Sequence, residues 1–254
     1  MSNQFKASGI VLSVRPVGEN DKRLTILTRE QGRIQAFASG GRKVTGRLHA
    51  VSQPLIWGDF VITQTRNYMR ITSGECRDFF GYIKDSYDHI LYSTYFAEVT
   101  EYFTVEGQDQ RDILNLLYVT FTAMKRDRIS PGLIRRIFEY RLLVLCGMRL
   151  QTESCVRCGA GGHLAGISLE EGGAVCADCA REVPAAALSE ETLYSLTYVA
   201  DIPLSRLYSF TLSEEIFREF SWIVGRFFDQ VADHRFNTAL MLADPEEDFS
   251  EKKS

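Results

Sequence analysis

The apolar positions change period once along the chain, shortly after Gly81. Before that point they come in short runs. Residues 7–14 centre on Ile10, Val11 and Leu12, and residues 24–28 are β-branched and apolar. Glu30, Gln31 and Gly32 predict a turn into a strand over 33–38. Residues 60–65 alternate, Asn67 marks a turn, and residues 68–72 return. Five short strands with Gly-rich punctuation and no helical period predict a small closed or nearly closed barrel.

From Ser86 onward the period is helical. Ile90, Leu91, Tyr95, Val99 and Tyr102 mark one apolar face, and Ile113, Leu114, Leu117, Phe121 and Met124 a second. The second ends in Lys125, Arg126, Asp127 and Arg128, where cations suit the C-terminal dipole. Ser130 followed by Pro131 predicts a capped start for a helix that runs to Cys146 and stops at Gly147. Ser189 and Ser213, each followed by two glutamates, start two more. Residues 244–254 are charged, with too little apolar surface to fold.

Between the third and fourth helices stand Cys155-x-x-Cys158 and Cys176-x-x-Cys179, separated by 17 residues. Each pair puts two sulfurs on one side of a knuckle, and two knuckles supply the four corners of a tetrahedral Zn²⁺ site. Gly159 closes the first knuckle. Residues 164–169 run out as a strand, 170–173 turn it, and 174–176 bring it back, which makes a small zinc ribbon. One structural Zn²⁺ is expected, because four thiolates leave no open position for a substrate. His163 lies between the pairs and reads as a surface residue. Cys76 and Cys146 read as inert core residues.

The expected architecture is therefore α+β and multidomain. A barrel occupies 1–80, a mostly helical domain 81–150 and 183–243, an inserted four-cysteine zinc ribbon 151–182, and a charged tail 244–254. Residues 1–6 have no apolar stretch behind a basic start, so no signal peptide is expected, and the cysteine pairs point to a reducing compartment and to metal.

Charge divides the chain unevenly. Residues 1–80 hold twelve Lys/Arg and six Asp/Glu, a balance of +6, and the remainder carries −10. That asymmetry points to a polyanionic partner for the barrel. No catalytic constellation is present: four histidines, and no HExxH, GxSxG or GxxxxGK[ST]. The chain is thus expected not to be an enzyme and to take no small-molecule substrate. Arg42, Lys43 and Arg47 lie in a glycine-flanked loop, which has no packing reason to be basic. Loops of this kind flank the binding face of oligonucleotide-binding (OB) barrels. Lys22, Arg23 and Arg33 extend the same strip, while Phe37 and Trp57 are candidate stacking groups for which core packing is the favoured role. Two other classes are compatible with this much: an RNA-binding module of transcription or translation, and a zinc-dependent nucleic-acid hydrolase.

Several segments resemble the RecO family of bacterial DNA repair proteins. They are Gly9-Ile-Val-Leu12, Arg15-x-x-Gly-Glu-x-Asp21, Leu27-Thr28, Gly32, Gly41-Arg-Lys43, Gln53-Pro54, the helix carrying Arg135 and Phe138, and Phe236-Asn-Thr-Ala-Leu240. The resemblance implies an N-terminal OB-fold barrel, a mostly helical C-terminal domain and a cytoplasmic, nucleoid-associated recombination mediator. Such a protein binds single- and double-stranded DNA and anneals complementary strands. It joins RecR, contacts the C-terminal tail of single-stranded DNA-binding protein (SSB), and helps RecA load. On this chain the DNA-binding expectation falls on Arg42, Lys43 and Arg47, then on Lys22, Arg23 and Arg33.

Overall fold

The computed structural model describes residues 3–125 and 129–242. The cationic cluster expected at a helix end lies partly, and the charged tail wholly, outside the described residues. The chain forms two compact units: Met1–Lys125 with Phe236–Leu242, and Arg126–Arg235 with Ala243–Ser254.

The first unit is built on five strands: β1 (Asn3–Val17), β2 (Asp21–Thr28), β3 (Gly32–Ala38), β4 (Trp57–Gln64) and β5 (Met69–Asp78). They close into a barrel in the order β1-β2-β3-β5-β4, with β3 and β5 parallel and the other pairs antiparallel. This is the OB arrangement. All five predicted strands form, longer than the apolar runs alone suggested, because the polar ends of β1 and β5 still find ladder partners. Ala7, Val11, Leu24, Ile26, Phe60 and Ile62 fill the interior.

In β2 the apolar run is buried on both faces: residues 24–28 are all buried. The interior takes Leu24 and Ile26, and the opposite face lies under helices α1 (Tyr87–Phe103) and α2 (Arg111–Met124). Thr25 donates to the Glu101 carboxylate of α1 at 3.3 Å, and Trp57 on β4 meets Tyr118 on α2 edge to face at 5.2 Å. Strands give way to helices at residue 80, while compactness cuts the chain at Lys125 because these two helices pack on the barrel.

Segment 236–242 belongs to the same unit. Phe236 packs edge to face against Tyr95 and Tyr102 of α1, at 6.1 and 5.5 Å. The Glu98 carboxylate accepts the backbone N–H groups of Asn237 and Thr238, at 3.1 and 3.0 Å, and the Thr238 hydroxyl. Replacing Glu98 by Ala orphans both N–H groups, at about 1–3 kcal/mol each where water cannot replace the carboxylate. The expected result is faster amide exchange at Asn237 and Thr238, with β2 and β3 unchanged.

The second unit contains α3 (Pro131–Leu145), strands β6 (Leu164–Ser168), β7 (Gly173–Cys176) and β8 (Ala186–Ala187), then α4 (Glu190–Asp201) and α5 (Glu214–Ala232). The three predicted caps form: Ser130, Ser189 and Ser213 accept the N–H of Leu133, Thr192 and Ile216. Strand β8 was not foreseen, since two alanines carry no pattern; it pairs with β6 and completes a sheet in the order β7-β6-β8. The base of this sheet is tied to α4, with Arg149 bidentate to Asp201 and the Thr152 and Thr197 hydroxyls 2.8 Å apart.

Candidate nucleic-acid interface and metal centre

Strand register builds a row that spacing along the chain conceals. Arg15 faces Arg23, Arg23 faces Phe37, and Phe37 faces Arg70. Residues paired across strands share a face, so these four side chains stand together on β1, β2, β3 and β5. The adjoining row, Val14, Leu24, Ala36 and Met69, points the other way and packs in or against the barrel core. The outer row is thus three cations around one ring. Three strand gaps separate Arg15 from Arg70, about 14 Å. Arg15 and Arg70 are exposed, Arg23 and Phe37 half-buried, and none of the three arginines forms an ion pair among the described residues. Tyr68, 49% exposed, meets Phe37 edge to face at 6.2 Å.

The basic loop is anchored beside this row. Gly40 donates its N–H to Asp21 at 2.8 Å, Arg42 donates its own to the Asn20 carbonyl at 3.0 Å, and the Arg42 guanidinium reaches the Gly18 carbonyl at 2.8 Å. The loop then folds on itself: a Cβ on Gly46 would stand 2.6 Å from the Gly40 carbonyl oxygen, so the turn admits only glycine there. Arg42, Lys43 and Arg47 remain exposed.

The six sequence candidates therefore separate. Arg23, Arg42, Lys43 and Arg47 sit on the surface of the barrel and its loop. Lys22 instead donates to the Ser52 carbonyl at 2.9 Å, and burial, then the neighbouring Arg42 charge, push its ammonium below the usual lysine range. Arg33 donates to the Glu101 carbonyl at 2.6 Å and is turned toward α1. Both are held by the fold. Phe37, read as core, stands on the outer face instead, because β3 puts Ala36 and Ala38 inside. Trp57 is half-buried, donating to the Ser8 hydroxyl at 3.1 Å under the Arg29 guanidinium. Arg15, Arg70 and Tyr68 were not foreseen. The usable signal was an arginine or ring beside an apolar residue in each strand, Val14-Arg15, Arg23-Leu24, Ala36-Phe37 and Met69-Arg70.

In the second unit the sulfurs of Cys155, Cys158, Cys176 and Cys179 all lie within 4.8 Å of one another. Cys158 and Cys176 are 3.7 Å apart, close to the ~3.8 Å edge of a tetrahedron with ~2.3 Å metal–sulfur bonds and far too long for a disulfide. The first knuckle closes as expected: Gly159, at φ +74°, donates to the Cys155 carbonyl, and Cys155 donates to Ala160. Cys176 ends β7, and Cys179 opens a single turn of 3₁₀ helix. Val156 donates to Ala174 at 2.9 Å, tying the first knuckle to the strand that carries the second.

The electrostatics favour a cation. Backbone N–H groups of Cys158 and Cys176 point at the Cys155 sulfur and hold its pKa down to about 6. The Cys176 sulfur, then burial, push Cys179 up to about 12. One thiol ionises readily and so obstructs the others, a conflict that a divalent ion at the centre removes. The donor set and its spacing fit a four-coordinate metal. His163 is exposed and outside the cluster. Cys76 and Cys146 are half-buried rather than core, and burial pushes both thiols up, away from the reactive thiolate.

No described helix is long and apolar enough to cross a membrane. The family model described as Recombination protein O N terminal matches residues 1–80, and that described as Recombination protein O C terminal matches 84–239. The chain is 34% identical to DNA repair protein RecO of Caldicellulosiruptor saccharolyticus over 84% of this chain and 86% of that one. It is 30% identical to DNA repair protein RecO of Bacillus velezensis, over 89% and 88%. A barrel with an OB strand order, a helical unit holding a four-cysteine ribbon, and two family models that between them span nearly the whole length lead to one assignment: the chain belongs to the recombination protein O (RecO) family.

Proposed function

We propose that this chain is a non-enzymatic DNA-binding recombination mediator whose binding surface is the outer row Arg15, Arg23, Phe37 and Arg70, together with the loop cations Arg42, Lys43 and Arg47. Family membership gives the broad role, DNA repair through recombination. The row is the observation that carries the binding surface. Its arginines are free to take phosphates and release counterions, and the Phe37–Tyr68 pair offers a π-face to an unpaired base. At about 14 Å across, it holds two to three nucleotides of a strand running across the β-strands. A strand held by its phosphates keeps the remaining base edges free, and the cations screen repulsion from a second strand, which is the arrangement annealing needs.

By analogy with the family, the chain joins RecR, contacts the SSB tail and assists RecA loading, on single- and double-stranded DNA. The metal is assigned as one structural Zn²⁺, since four thiolates at tetrahedral spacing select a soft, four-coordinate ion and close its shell.

The test is salt-dependent binding to a labelled single strand. With six cations engaged, the log–log slope is expected near −4, and changing Arg15, Arg23 and Arg70 together to Ala should reduce its magnitude by about 2. An unchanged slope removes the row from the interface. Competition with RNA of the same sequence separates a DNA mediator from the RNA-binding alternative.

A further inference from the structure

In the second unit, a groove of about 660 Å³ opens between α4 and the start of α5. Its floor and walls are aromatic. Tyr194 and Tyr198, one turn apart on α4, present rings 6.0 Å apart and tilted by 30°, and Phe210 meets Tyr198 edge to face at 5.1 Å. Ile216 adds an aliphatic wall. Tyr194 is 68% exposed, an unusual state for a ring whose neighbours form a cleft.

The charge of the groove is one-sided. Glu190 and Glu191 line it, no lysine, arginine or histidine does, and neither carboxylate forms an ion pair among the described residues. Two helix N-termini meet here, and such ends ordinarily attract anions. These are already answered: Ser189 and Ser213 cap them from within, and two glutamates occupy each first turn. An anionic ligand therefore meets two carboxylates that repel it.

From aromatic faces beside unneutralised carboxylates we propose that this groove docks a partner-protein segment carrying an arginine or lysine next to an apolar side chain. The apolar residue fills the cleft against Phe210 and Ile216. The stem of the basic residue lies on Tyr194, its cation over the ring and its donors toward Glu190 or Glu191. The chemistry is the reverse of the basic barrel face, so a partner held here does not compete with DNA for cations.

The experiment uses the full chain and two fluorescein-labelled dodecapeptides, one with a leucine between two arginines, the other with glutamates for those arginines. The cationic peptide should bind by anisotropy and the acidic one should not. Tyr194→Ala should weaken the cationic peptide roughly tenfold, the scale of a desolvated cation–π contact. Tyr194→Phe should keep its affinity, and Glu190→Gln with Glu191→Gln should weaken it further. Tyr194→Ala removes no charge, so it separates the groove from general attraction of a cationic peptide to an acidic surface. Unaltered binding to Tyr194→Ala, equal binding of the two peptides, or no binding overturns the proposal. The chemical-denaturation midpoint read by Trp222 of α5 on the same preparations should be unchanged, which reads the fold of the unit that holds the groove independently.

Discussion

Stripping metal from the intact chain will unfold the ribbon. Among described residues over 151–182, the buried apolar side chains are few: Cys155, Ile167, Ala174 and Val175. So small a core cannot offset the backbone entropy of some thirty residues at about 1–2 kcal/mol each. A bound Zn²⁺ would supply the difference, with apparent binding of roughly 10–16 kcal/mol in zinc-finger peptides near neutral pH. Elemental analysis should find one zinc per chain. After chelation, amides of β6 and β7 should exchange at nearly unprotected rates, while those of β1 to β5 keep their protection. Cys155→Ala should give the same result without chelator, because it removes one of the four ligands that close the shell. Cys146→Ala should leave metal content unchanged. Metal-free protein with native protection in β6 and β7 would refute the assignment.

That site was legible in the sequence because a metal knuckle is a local device. Four cysteines at x-x spacing and one glycine specify both turns, and the folded chain only has to bring two such turns together. The same holds for the serine caps and for the strand and helix order. The surface proposed for nucleic acid was legible only in part, because it depends on register. Arg15 and Arg70 are 55 positions apart, and nothing local reveals that they stand three strands from each other on one face. Register also decided against Arg33. Its side chain extends beyond the edge of the open face, where α1 and its Glu101 carbonyl cover the sheet. Lys22, at the start of β2, is held for a different reason, since the segment after the basic loop wraps round and takes its ammonium at the Ser52 carbonyl. Of the two roles open to Phe37, core packing was favoured because a ring in a small barrel is usually inside, but here two alanines take the interior positions on either side of it.

Glu139→Gln should cost about 3–5 kcal/mol, the scale for breaking a buried ion pair by removing one partner. Glu139 lies on α3 with its side chain fully buried, and its two oxygens take the Arg135 Nε at 2.7 Å and the Arg136 guanidinium at 2.9 Å. Both arginines are nearly as buried. An amide keeps the shape but loses the charge, and turns a donor toward guanidiniums that need an acceptor. Gly225 on α5 shows how closely the group is packed: a Cβ there would sit 2.9 Å from the Arg136 Cζ and from both terminal nitrogens, so the glycine backbone lies against the flat face of the guanidinium. Gly225→Ala should therefore cost about 1–3 kcal/mol by overpacking, through the same arginine. The informative comparison is the triple change Arg135→Met, Arg136→Met and Glu139→Leu. If the cost of Glu139→Gln comes from an uncompensated buried charge, removing all three charges should recover most of it. Chemical denaturation of the full chain, followed by tryptophan fluorescence of Trp222 in α5 with Trp57→Phe as background, reads the unit that holds the triad. A Glu139→Gln midpoint equal to wild type, or a triple variant as unstable as the single one, would show that the carboxylate is not what holds the two guanidiniums in place.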